Sequence, residues 1–161
     1  MIVRRNQGFT IIELLISVTI VGLLSSIAVP KFRDMRRRAE AAQIMGDFDT
    51  MRHAVLSFYV DSSYFPAESN AGKVPRNLAK YLPANFKMKK PQWELDYENW
   101  SLKTASKYTK TGIVIGMSFT TPDTLLGRRA MMLMSNTPNY TIGSKYTLLI
   151  SAFRGKEKGG R

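Results

Sequence analysis

From Phe9 to Val29 the chain runs for 21 residues with no lysine or arginine and a single acid, Glu13. A helix of about 20 apolar residues crosses the hydrocarbon of a bilayer, so this stretch is long enough to span one. An ionised carboxylate at that depth costs on the order of 2.5 kcal/mol or more unless it is paired. Glu13 therefore requires a cation. A cut after Gly8 would supply one, because the new α-amine of Phe9 lies four residues before Glu13 on the same helical face. In a low-dielectric layer either charge is costly alone, and pairing them is favourable. If the amine belongs to a neighbouring copy, the pair fixes the axial register between copies and becomes an assembly signal.

Residues Met1 to Leu15 carry a resemblance. A short basic leader with Arg4 and Arg5, followed by Gly8, Phe9, Thr10, Ile11, Ile12, Glu13 and Leu14, resembles the class III signal and processing site of type IV prepilins and type II secretion pseudopilins. Gly22 and Pro30 match positions typical of that family's membrane helix. The resemblance implies cleavage between Gly8 and Phe9 by a prepilin peptidase, N-methylation of Phe9, and packing of the apolar helices into a homo-oligomeric helical filament built on an inner-membrane platform. It divides the chain into a leader (1–8), a membrane and filament-core helix (9–30) and a pilin-like domain (31–161) that takes in the distal half of the long helix to about residue 60. An ordinary secretory signal has an apolar core of about 7–15 residues closed by a small-residue cleavage site; here the core is longer and the glycine precedes it. The alternative reading of the span alone is a generic single-pass signal anchor.

Flanking charge and the resemblance point in opposite directions. Two basic residues precede the span, Arg4 and Arg5, and five follow it: Lys31, Arg33, Arg36, Arg37 and Arg38. Charge counting alone would hold the second flank in the cytoplasm. The resemblance places the C-terminal domain in the periplasm or outside the cell, with the processing site facing a cytoplasmic peptidase, and that is the expected topology.

Beyond the span, Pro30 lacks an amide donor and should bend the helix together with Gly22. Phe32, Met35, Ala39, Ala42, Met45, Phe48, Met51, Val55 and Phe58 recur at spacings of three and four, which predicts one apolar stripe along a helix ending near Asp61. The exit segment Phe58 to Ser69, with Tyr64 and Phe65-Pro66, resembles that of major pseudopilins and some pilins. Pro75 to Leu82 is expected to form a short helical piece stopped by Pro83. Trp93 to Leu102 alternates with period two, Trp93, Leu95 and Tyr97 on one face and Glu94, Asp96 and Glu98 on the other, and reads as the first strand. Ile113 to Thr120 and Tyr146 to Phe153 read as further strands. Thr124 to Met134, behind Pro122-Asp123, reads as a short helix, Asn136 to Ser144 as turn, and Gly155 to Arg161 as a basic tail. Strands with one apolar face laid on the helix stripe give an α+β fold, which agrees with the architecture the resemblance implies: a long N-terminal helix packed on a small antiparallel sheet.

No catalytic apparatus is legible. There is no cysteine, His53 is the single histidine, and no phosphate-binding glycine loop or acidic metal motif occurs. The resemblance to major pseudopilins raises calcium, but the tail holds Glu157 as its only acid, so no metal and no cofactor are expected. The net charge of +12 is compatible with nucleic acid, lipid headgroups or an acidic partner. Lys87, Lys89, Lys90 and Trp93, continued by Lys103, Lys107 and Lys110, could form a basic strip with a stacking aromatic, as a minor pilin that captures DNA or another polyanion would need. The competing reading is that Trp93 and Trp100 belong to the core and the lysines keep the subunit soluble, and it is the favoured one.

Overall fold

A computed structural model describes residues 8–101 and 113–153. Lys103, Lys107, Lys110 and the tail from Gly155 fall outside the described residues. The chain divides into two compact units, Met1–Arg37 and Arg38–Arg161. Helix α1, Ile11–Ser62, runs through the boundary and includes Pro30. From Ile11 to Arg33 it is exposed, and none of the described residues before Ala41 is buried.

The second unit is α+β, as expected. After α1 come a 3-10 helix (Arg76–Tyr81), strands β1 (Glu94–Ser101) and β2 (Ile113–Thr120), helix α2 (Thr124–Leu133), and strands β3 (Asn139–Ile142) and β4 (Lys145–Phe153). The four strands form one antiparallel sheet in the order β1-β2-β4-β3. Asp123 caps α2 by accepting from the amides of Leu125 and Leu126, the short polar side chain that a helix start prefers. Leu95 and Tyr97 of β1, Ile115, Met117 and Phe119 of β2, Leu126 and Ala130 of α2, and Tyr146 and Leu148 of β4 join the buried residues of α1 in one core.

Two expectations need correction. The buried row of α1 is Ala41, Ile44, Phe48, Met51, Ala54, Val55 and Phe58, whereas Phe32, Met35 and Met45 are 65%, 60% and 38% exposed and Ala39 and Ala42 are exposed as well. The expected stripe steps back from Phe48 through Met45 and Ala42 to Ala39 by three residues each time. Every such step falls about 60° short of a turn, so three of them carry the row about 180° around the helix. Alternating steps of four and three lead instead to Ile44 and Ala41, and continuing that row toward the N-terminus meets Arg37, then Arg33 or Asp34. The apolar face of the second unit's helix therefore ends where charges begin.

The second correction is β3, which lies inside the segment read as turn. Ile142 pairs with Lys145 across a two-residue loop, Gly143-Ser144, and Gly143 takes a φ of +60° at the first loop position. That conformation matches the twist of an antiparallel hairpin and suits glycine.

The acidic side of β1 is also less wet than its composition implies. Glu98 is buried and accepts a hydrogen bond from Ser118 Oγ at 2.8 Å, and Ser118 in turn contacts Thr147 Oγ1 at 2.9 Å. Lys145 Nζ lies 2.5 Å from Glu98 and 3.2 Å from Asp96. Across β1, β2 and β4 a polar cluster thus crosses the face opposite the core.

Candidate assembly site

Gly8, Phe9 and Thr10 precede the first turn of α1 and are exposed. Thr10 and Glu13 cap the helix reciprocally. The Thr10 amide and hydroxyl donate to Glu13 Oε2 at 2.9 and 2.7 Å, and the Glu13 amide donates to Thr10 Oγ1 at 3.3 Å. This is a capping box, in which a hydroxyl residue and an acid three positions later satisfy each other's free amides. The signal was present in the sequence as Thr10-Ile-Ile-Glu13, and Thr10 is the residue the charge argument overlooked. Both bonds into the carboxylate use Oε2, and neither uses Oε1.

Past the cap, three hydroxyl side chains bond to the helix backbone. Ser17 donates to the Glu13 carbonyl, Thr19 to Leu15 and Ser26 to Leu23, each at 2.7 Å. Such back-bonding lets hydroxyls sit in an apolar medium without an outside partner. The large side chains between Phe9 and Val29 are from 46% to 81% exposed. Among the described residues nothing covers these side chains, and α1 is long and apolar enough here to cross a membrane. An added Cβ at Gly22 would meet nothing within 4 Å, so no contact among the described residues requires a glycine there.

The residues of the supposed polyanion strip lie elsewhere, in the second unit. Trp93 is a core residue with 4% exposure, so no base can stack on it. Lys90 lies 2.5 Å from Asp47 and over the Trp93 ring, 5.2 Å from its centroid. Lys89 reaches Glu94 at 3.8 Å, and Lys87 is exposed. Two of the three lysines thus have acidic partners, and the aromatic is unavailable. His53 is exposed on α1, and no group of three or more potential metal ligands occurs among the described residues.

A lone carboxylate at the capped start of an exposed apolar helix coincides with the match to known sequences. The profile of the prokaryotic N-terminal methylation motif matches residues 3–29. The N-terminal part of the chain is thus similar to that of type IV pilins. It is 31% identical to the fimbrial protein EcpC of Eikenella corrodens over 83 residues, 51% of this chain and 54% of that one. It is 33% identical to the type IV major pilin protein PilE1 of Neisseria gonorrhoeae over 67 residues, 42% of this chain and 31% of the relative. With the type IV major fimbrial protein FimA of Dichelobacter nodosus it shares 36% identity over 56 residues, 35% of this chain and 36% of the relative. The matches therefore span about half or less of these pilins' own length. No solved structure matches the chain.

Proposed function

We propose that this protein is a pilin, a structural subunit cut between Gly8 and Phe9 by a prepilin peptidase, N-methylated on Phe9, and polymerised through α1 into a type IV pilus or a type II secretion pseudopilus. Before assembly it spans the inner membrane once, with residues from Lys31 onward in the periplasm, and an inner-membrane platform adds it to the filament. The observation that carries the proposal is Glu13, the single charged side chain in the exposed apolar stretch Phe9–Val29. Its capping bonds come from the amide and hydroxyl of Thr10, and both donors survive a cut on the N-terminal side of Phe9. The carboxylate thus stays in place with one oxygen for the amine of the next copy, while the uncovered side chains from Ile11 to Val29 supply the packing surface. Gly22, with no side chain, and Pro30, with no amide donor, are the points where the helix can bend or unwind. The placement of Gly8 and Phe9 ahead of the helix supports access by a peptidase.

The test is Glu13→Ala in the native cell. The variant is expected to remain membrane-inserted and to be processed, with filaments reduced at least tenfold; wild-type levels of filament from the variant would refute the pairing role.

A further inference from the structure

The first turns of α1 beyond the apolar span carry Lys31, Arg33, Arg36, Arg37 and Arg38 against a single acid, Asp34, a local net charge of +4. At about 100° per residue, and with Lys31 taken as zero, Arg33, Arg36, Arg37 and Arg38 point toward roughly 200°, 140°, 240° and 340°. The cations therefore form a collar around most of the helix rather than a stripe. The gap in the collar holds Phe32, Ala39 and Met35, and these are the exposed apolar residues that the core leaves uncovered. Lys31 to Arg38 covers about 10 Å of helix axis, enough to cross a headgroup layer about 5–7 Å deep next to the hydrocarbon. Arg36, Arg37 and Arg38 have interactions within the chain. A guanidinium has five N–H donors, so an internal bond and a phosphate are held together.

We propose that Lys31–Arg38 is a docking collar for anionic lipid headgroups, with Phe32 and Met35 seated at the edge of the acyl chains. The inference rests on the reading that Phe9–Val29 lies in hydrocarbon. It explains why five cations follow the span although charge counting disfavours carrying them across. On the outer face of the membrane they hold the subunit to phosphates at a fixed depth, a contact that must be released when the subunit enters a filament.

The test uses the full chain in vesicles of phosphatidylcholine containing a small fraction of phosphatidylglycerol, with spin-labelled versions of the two lipids reporting which one contacts the protein. Expected is a preference for phosphatidylglycerol of about twofold or more at low salt that falls toward unity at 1 M salt, where screening acts within about 3 Å. Joint replacement Arg33→Gln, Arg36→Gln and Arg37→Gln should abolish most of the preference, and Lys87→Gln with Lys89→Gln should leave it intact. Equal contact with both lipids, or a preference unchanged in the collar variant, would overturn the proposal. If the preference is absent while the collar variant loses filaments, the collar binds acids of a second copy and the lipid assignment is again wrong. Carbonate extraction separates the two readings: a chain washed off the vesicles disproves the membrane span, whereas a chain retained without lipid preference disproves the collar alone.

Discussion

An added methyl at Gly127 would fall onto the phenol ring of Tyr146, so α2 approaches β4 as closely as it does only because position 127 has no side chain. Gly127→Ala should force the helix outward and cost about 1–3 kcal/mol as an overpacked core does, seen as a lower urea midpoint for the full chain in detergent. On the opposite face of the sheet, burial raises the pKa of Asp96 even though Lys145 pulls it down. Burial would lower the amine of Lys145, but hydrogen bonds to Glu98 and Asp96 outweigh it and hold it above the usual lysine value. The signs differ. Raised acids bind protons more tightly in the folded state, so Asp96 makes the fold less stable as pH rises through its folded pKa. The raised Lys145 contributes stability that is present at neutral pH and lost as pH climbs past the usual lysine range. Lys145→Met should thus destabilise the protein at pH 7 by about 1–3 kcal/mol, because buried Glu98 loses its ionic partner. The deficit should shrink as the pH falls through the raised pKa of Asp96, which when protonated no longer needs the cation, and urea melts at pH 7 and at acid pH read the difference.

Along α1, the corrected register makes a sharper prediction than the element's existence does. Ile44 and Met51 are fully buried, so truncating either to alanine should cost about 2–5 kcal/mol. Met45→Ala should cost under about 1 kcal/mol, because its side chain is already partly in water. Equal losses at 44 and 45 in thermal melts would contradict the buried row. Elements whose periodicity is long or whose punctuation is strong were legible: the end of α1, the 3-10 piece before Pro83, β1, β2 and the Asp123-capped α2 lie within a residue or two of their expected places. Register was harder to read because α1 is apolar on two sides in its middle, with Met45 and Ala42 on one and Ile44 and Ala41 on the other. Which side is buried depends on a sheet that comes later in the chain. β3 escaped notice because four residues next to Pro138 resemble a turn, although Gly143-Ser144 between Ile142 and Lys145 was a hairpin signal. At the N-terminus the sequence carried Glu13 plainly, while Thr10 was passed over because a capping residue spends its polarity on the backbone and leaves no charge to count.

At the scale of the whole molecule, one helix serves two media on the proposed reading. Its described first part buries nothing and bonds the hydroxyls of Ser17, Thr19 and Ser26 to its own backbone, as suits lipid or a bundle of identical helices. Its last part supplies the central row of an α+β core. Charges from Lys31 to Arg38 separate the two, and a single carboxylate marks the start. The central claim is that this carboxylate meets an amine created by processing. Mass spectrometry of the protein purified from filaments of its native cells tests it most directly: the account predicts a chain that begins at Phe9 and carries one extra methyl group on its terminal nitrogen, and a filament subunit that still begins at Met1 would contradict it.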